Sequence, residues 1–289
     1  MEYLIHLAIL VAIYSILGIS LNLVVGYTGL LSVTQAAFYG IGAYATAILL
    51  TRFSNVNFFL SIILGIIITA VVSLLIGYVL SRFKESYYAL GSFGFNIIVY
   101  SIFLNAQSLT RGPLGIPGIP RPTFLGISFS DNFNFLILVA LVALLVYLAS
   151  RFLVSSSFGR VLKAIREDEQ AIQIFGYKTH HYKLAIFVIS AAMASIAGAF
   201  FASYITFIDP STFTLNESIF ILSIIILGGL ANLRGSVLGA FILILLPEIL
   251  RFVGFPSEIA AQMRVLVYGA LLVLLMMYRP QGILGEYKL

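Results

Sequence analysis

Apolar runs that no charge interrupts govern what this chain can become. The cleanest, Phe58 to Ser81, is 24 residues long and holds no Asp, Glu, Lys or Arg. A helix rises 1.5 Å per residue and the hydrocarbon core of a bilayer is about 30 Å thick, so about 20 such residues suffice to cross it. Comparable runs occupy 3–25, 30–51, 86–110, 133–149, 184–208 and 259–278, the last with Arg264 near its start, and shorter ones occupy 218–227 and 236–247. With 61% of 289 residues hydrophobic and 9% charged, the chain has too little polar surface for a water-soluble domain. The expected fold is all-α: a polytopic integral membrane protein of about 8–10 transmembrane helices with broken or re-entrant segments, forming one transmembrane domain over residues 1–289. Placing every break at a membrane face gives nine spans. The first run lacks a basic leader and a small-residue cleavage site, so it is expected to remain as a helix.

Glycine and proline mark the interruptions. Gly26, Tyr27, Gly29 and Ser32 separate the first two runs, with Gly40 and Gly42 following, a place where helices break or approach closely. Residues 110–122, from Thr110 through Gly112 and Gly115 to Pro122, form the one Pro/Gly-rich segment, expected to be a loop of turns within an extracytoplasmic stretch of about 110–132. Ala191, Ser195, Ala199 and Ser203 recur every four residues, a stripe that lets membrane helices pack tightly. Glycines also separate the runs at 218–227 and 236–247. Glycine-interrupted segments in both halves of a transporter point to a midplane substrate path, with close packing as the competing explanation.

Charge is concentrated in one place. Between Arg151 and Lys183 lie nine of the 27 charged residues and two of the three histidines. Within it Val161, Leu162, Ile165, Ile172 and Phe175 recur at helical spacing, Glu169 interrupts the stripe and Gly176 stands where a helix would stop. The segment from Phe158 to Gly176 is expected to be one water-facing helix. Two readings remain open on pattern alone: it lies against its own membrane domain, or it docks a soluble subunit. Counting Lys and Arg with this loop inside places eleven on its side and five on the other, which puts the N-terminus outside and the C-terminus inside.

Several chemistries are excluded. There is no cysteine, hence no disulfide or thiolate site, and no phosphate-binding loop of the Gly-x-x-x-x-Gly-Lys type. His180 and His181 are adjacent and face different ways on a helix, a poor metal site. The net charge of +5 reads as membrane orientation, and no nucleic-acid partner or cofactor is implied. Asp209, Glu217, Glu248, Arg251, Glu258 and Arg264 all fall toward ends of runs, so the spans are expected to be electrically quiet. A transporter without a charge relay or a nucleotide site takes its energy from a partner.

Spread in order over nearly the whole chain, several pieces resemble one family: residues 21–32, 35–38 and 40–44, Tyr88 with Ala89, residues 109–120, Phe158 to Gly176, residues 227–229 and 235–240, and Arg279 to Gly282. It is the LivM-type permease of ABC importers for branched-chain amino acids. The resemblance implies a non-catalytic subunit in a bacterial or archaeal plasma membrane. Its partners would be a second homologous permease, two ATP-binding cassette subunits and an extracytoplasmic substrate-binding protein. It implies that Glu167, Glu169, Ala171 and Gly176 belong to a cytoplasmic coupling helix seated in a groove of the ATPase. Arg160, Lys163 and Arg166 would be rim contacts, and Ile172 stands where alanine is frequent. It further implies a translocation path along Gly26, Tyr27, Gly29, Ser32, Gln35 and Asn96, with Thr110, Gly112 and Gly115 at the outer mouth. Two alternatives compete: the same family carrying urea or short amides, and a self-sufficient secondary carrier or channel.

Overall fold

The computed structural model describes residues 2–53, 56–83, 85–124, 127–252, 269–270, 273, 277–278 and 281–285. Most of the expected last span, 259–278, lies outside them, as do Lys84, Glu258, Arg264, Arg279 and Lys288. In chain order the helices are α1 (Glu2–Thr28), α2 (Gln35–Arg52), α3 (Phe58–Leu80), α4 (Glu85–Asn105), the single turn α5 (Gln107–Thr110), α6 (Asn132–Ser155), α7 (Ser157–Glu167), α8 (Glu169–Ile174), α9 (Thr179–Ile205), α10 (Leu215–Gly228) and α11 (Leu233–Phe252). Among the described residues α1, α3, α4, α6 and α9 are each long and apolar enough to cross a membrane, while α10 and α11 form a pair bent by 119°. The molecule is a multi-pass, all-α membrane protein.

Burial sorts these helices into posts and periphery. α1 is buried continuously from Ser15 to Thr28 and packs against α6, α9, α10 and α11. A helix apolar on all sides belongs in the middle. On α3, by contrast, only Phe58, Ser61, Gly65, Thr69, Ser73, Gly77 and Leu80 are buried, one stripe at spacings of three and four. Small residues on that stripe let α3 lie against α2 and α9, while Ile63, Ile67, Val71 and Leu74 face outward as lipid-compatible surface.

The predicted stripe on α9 forms a tight seam. Ala191, Ser195, Ala199 and Ser203 are each at most 1% exposed. A Cβ on Gly198 would fall 2.1 Å from the Tyr39 carbonyl oxygen, and one on Gly42 would fall 2.4 Å from the Ser195 backbone, so α2 and α9 touch through backbone at both positions.

The two ends of the bundle carry different charge. At one end Ser81, after α3, bonds His180 at the start of α9, and Arg166 on α7 reaches the end of α1. Arg82, Arg160, Lys163, Arg166, Lys178 and Lys183 gather there. At the other end Arg52 donates to the Ser108 and Leu109 carbonyls, Arg121 lies 5.8 Å over Tyr204, and Arg111 follows α5. The Pro/Gly segment at this second end is a loop of turns, as its composition predicts. A 3-10 turn at Gly112–Leu114 leads to β1 (Ile116–Pro117), and β2 (Thr123–Phe124) pairs with β3 (Ile127–Ser128). β1 in turn pairs with β4 (Phe207–Ile208), tying the loop to the connection after α9.

Three expectations change. Breaks do not all fall at a membrane face: α10, at 14 residues, spans about 21 Å, too short to cross. Its first turn meets Tyr14 halfway along α1 and Asn96 halfway along α4, so it begins in the interior. Glu217, expected near a membrane end, therefore sits at mid-depth, so the interior holds an ionisable group. A half-helix and a truncated span have the same apolar length, so run length carries no depth. Gly26 does not break α1, which continues to Thr28; a Cβ there would fall 2.6 Å from the Ala231 nitrogen, so the glycine serves close packing. The break starts at Gly29, with φ of 74°. Lastly, the charged segment is two helices, because Asp168 adopts an extended φ of −155° and its carboxylate caps α8 through Gln170 N at 2.9 Å and Ala171 N at 3.0 Å.

Candidate coupling site and buried polar core

The loop between α1 and α2 turns back into the bundle. Gln35, the first residue of α2, donates through Nε2 to Ser20 Oγ, and Ser20 lies eight residues, about 12 Å, before the end of α1. The backbone freed by this turn is met by side chains. Val33 N donates to Ser92 Oγ at 3.1 Å, Asn96 Nδ2 donates to the Val33 carbonyl at 2.9 Å, and Ser32 Oγ pairs with Thr34 Oγ1 at 3.0 Å. Asn96 also donates to Ser218 Oγ at 2.7 Å, and Ser218 accepts from Ala36 N at 2.9 Å. The starts of α2 and α10 thus meet beside the middle of α4. Next to Ser218, Glu217 accepts the Tyr14 hydroxyl at 2.5 Å. An ionisable group at that depth is expensive and marks function more often than packing.

A second polar knot holds the bend between α10 and α11. Asn22 donates to the Gly229 and Asn232 carbonyls at 3.2 and 3.0 Å and to Ser236 Oγ at 2.7 Å, and accepts from Ala231 N at 2.9 Å. One side chain satisfies the groups released where Gly229 (φ 119°) and Ala231 (φ 57°) interrupt the helix.

The charged loop divides at Asp168 in burial as well as in shape. On α7, Leu162 is fully buried and Ile165 is 4% exposed, so this half of the apolar ridge packs on the protein's own spans. On the far side of Asp168, Ile174 and Phe175 are 86% and 78% exposed. α8 ends in a glycine stop: Gly176 has φ of 88°, its N–H bonds Gln173 O at 2.9 Å, and Tyr177 N bonds Ile172 O at 3.3 Å. Lys163 lies 5.6 Å over the Tyr27 ring, and Arg166 donates through Nη1 to the Gly26 carbonyl. Arg160 is exposed with Nη2 on Ser157 Oγ at 2.7 Å, and Glu167 is exposed. Glu169 turns inward to Lys183 Nζ at 2.5 Å. A cavity of about 1170 Å³ opens between α7, α8 and the neighbouring ends of α1, α3 and α9, bordered by Thr28, Gly29, Ser81, Arg82, Arg166 and His180.

Residues 3–276 match the family described as "Branched-chain amino acid transport system / permease component". The chain belongs to that family. The permease is 37% identical over 97% of its length to the high-affinity branched-chain amino acid transport system permease protein LivM of Escherichia coli (strain K12), covering 69% of that protein. It is 25% identical to the probable LivM permease of Methanocaldococcus jannaschii, over 95% of this chain and 91% of the other. To LivH of Escherichia coli (strain K12) it is likewise 25% identical, over 94% of this chain and 91% of the other. No solved structure matches the chain. It is a non-catalytic membrane component of a transport system.

Within the permease, the candidate residues fall into separate groups. Ser32, Gln35 and Asn96 come together in the buried polar core. Gly26, Tyr27 and Gly29 lie instead at the cation-rich end, under Lys163 and Arg166; a Cβ on Gly29 would meet Arg166 Cγ at 3.1 Å. Thr110, Gly112 and Gly115 are joined to neither group. Thr110 caps the end of α4 through Phe103 O and Ala106 O at 2.7 and 2.9 Å. Gly112 and Gly115 have φ of 55° and 66° and press on the Leu104 and Ile208 carbonyls. These three shape the loop. Ala171 is half-buried and supplies a capped N–H. Tyr14, Ser20, Ser92, Ser190 and Ser218 join these networks without a signal in the sequence, because isolated serines and tyrosines inside apolar runs look like ordinary helix content, while Glu217 reads there as lying at a run's end and Asn22 as one polar residue in the first run.

Proposed function

We propose that this chain forms one half of the conduit of an ATP-driven importer for branched-chain or related neutral amino acids, in the plasma membrane of a bacterium or archaeon. Its partners are a second homologous permease, two ATP-binding cassette subunits and an extracytoplasmic substrate-binding protein. The similarity of this chain to two differently named permeases of one organism supports a paired arrangement. The cation-rich end, with α7 and α8, faces the cytoplasm by the positive-inside tendency. In this reading the path passes the buried polar core, where Ser32, Gln35, Asn96, Ser218 and Glu217 offer polar groups to a zwitterion crossing an apolar bundle.

The observation that carries the reading is the tip of α8. Two large apolar side chains, Ile174 and Phe175, stand exposed on a short helix whose base is capped and tied down, at the end of the bundle where the cations gather. Exposed apolar groups set among charges suit a groove on a protein partner. Glu167, Arg160 and Gly176 lie on the same water-facing loop and complete the contact. Replacing Ile174 and Phe175 with aspartate should leave membrane insertion and thermal stability unchanged, while co-purification with the ATPase subunits and uptake are lost. Retained co-purification in that double variant would refute the docking role.

A further inference from the structure

We propose that Glu169 and Lys183 are a pair of positioning residues, the joint through which α8 moves α9 and, through α9, the start of α2. This rests on the reading of α8 as the partner-facing lever. The first observation is how little else holds α8. None of its six residues is fully buried, and only Ala171 and Ile172 of its apolar residues are partly covered, so apolar packing holds it weakly. Its attachment is polar: one oxygen of Glu169 takes Lys183 Nζ at 2.5 Å, and the other takes Thr179 Oγ1 at 2.9 Å. Gln173 Nε2, from the same helix, reaches Thr179 at 2.9 Å. Both carboxylate oxygens are therefore committed to the first two turns of α9.

The second observation is the burial of Lys183, which is 3% exposed. Taking an ammonium out of water is costly, and breaking such a pair from one side leaves the charge uncompensated. The pair therefore resists sliding apart when α8 is displaced. The third is where α9 leads. Two turns beyond Lys183 on the same face, Ser190 Oγ donates to the Ser20 carbonyl at 2.7 Å. The hydroxyl of Ser20 in turn accepts from Gln35, the first residue of α2, whose neighbour Ala36 donates to Ser218. α7 is tied separately, through Arg166 to Gly26. Displacing α8 thus loads α9 and the polar core directly, with α7 as a second hold on the end of α1.

The test uses the complete transporter in proteoliposomes, with both permeases, the ATPase subunits and the binding protein. The quantity read is leucine imported per ATP hydrolysed. Glu169→Gln and Lys183→Met should each lower this ratio by about fivefold or more, the lower end of the range for coupling between sites. The double variant should be no worse than either single one, because residues acting as a unit are not additive. An unchanged ratio, uptake and hydrolysis falling in parallel, or additive losses in the double variant would each overturn the joint. If Lys183→Met does not assemble, Glu169→Gln, an isostere at a half-exposed site, decides the matter by the same ratio. A wild-type complex that never binds the ATPase would instead defeat the lever reading itself.

Discussion

Asn96 donates a 2.7 Å hydrogen bond to Ser218, joining the middle of one helix to the first turn of another 122 residues further along the chain. Ser218 also accepts from Ala36 at the start of α2, so three segments meet at one hydroxyl. Asn96→Leu removes both donors of this amide and leaves the Val33 carbonyl without its bond. A buried polar group deprived of its partner costs about 1–3 kcal/mol. Thermal unfolding of the purified permease should fall accordingly, and uptake should fall further than stability does. A variant with unchanged melting and uptake would show that this contact is dispensable.

Glu217 and Tyr14 give a second prediction. Leaving a buried polar group without its partner costs about 1–3 kcal/mol, so Tyr14→Phe should destabilise the permease by that order, read from denaturation in detergent. Glu217→Gln keeps the shape and an acceptor for Tyr14, and should cost little stability. Its uptake should nevertheless drop, since a carboxylate kept at mid-depth is not explained by packing. Normal uptake by Glu217→Gln would remove the carboxylate from the path.

The seam between α2 and α9 predicts a contrast between two glycines. Gly198→Val places a side chain into the Tyr39 carbonyl, 2.1 Å from where its Cβ would sit, and helix backbones cannot yield at that distance. Folded protein should be lost, as judged by detergent size-exclusion profiles. Gly94→Ala meets nothing within 4 Å and should be neutral or stabilising by about 0.5–1 kcal/mol, the usual gain of alanine over glycine within a helix.

Gly176 ends α8 in a left-handed conformation with open space around its Cα. Gly176→Val is therefore opposed by backbone strain alone, about 1–2 kcal/mol for a side chain held in that region. The strain can be relieved only by moving the exposed tip. Membrane insertion should be normal, ATPase co-purification should fall, and Gly176→Asn should fall less, because asparagine tolerates this conformation. Equal effects of valine and asparagine would point away from the backbone.

Much of the architecture was legible because bilayer burial writes itself into composition. The five long helices, the small-residue stripe on α9, the turn-rich loop after Thr110 and the stop at Gly176 each follow from a local rule that needs no distant partner. The single helix expected from Phe158 to Gly176 failed locally, at Asp168, where a capping carboxylate outweighed the continuing apolar ridge.

What residue order alone determined was that this is a membrane-spanning, all-α transporter component with one charged, water-facing loop, since charge cannot be left in hydrocarbon and runs of about 20 apolar residues are long enough to cross it. Depth and partnership were decided only by the tertiary structure. Glu217 sits at a sequence boundary yet lies beside the midpoint of α1, because α10 starts inside the bundle. Glu169 and Lys183 are 14 positions apart and became partners only when α8 folded back on α9. Hydrogen bonds and ion pairs in a low-dielectric interior depend on which groups are brought within about 3 Å, and nothing in a single stretch of sequence specifies that distance.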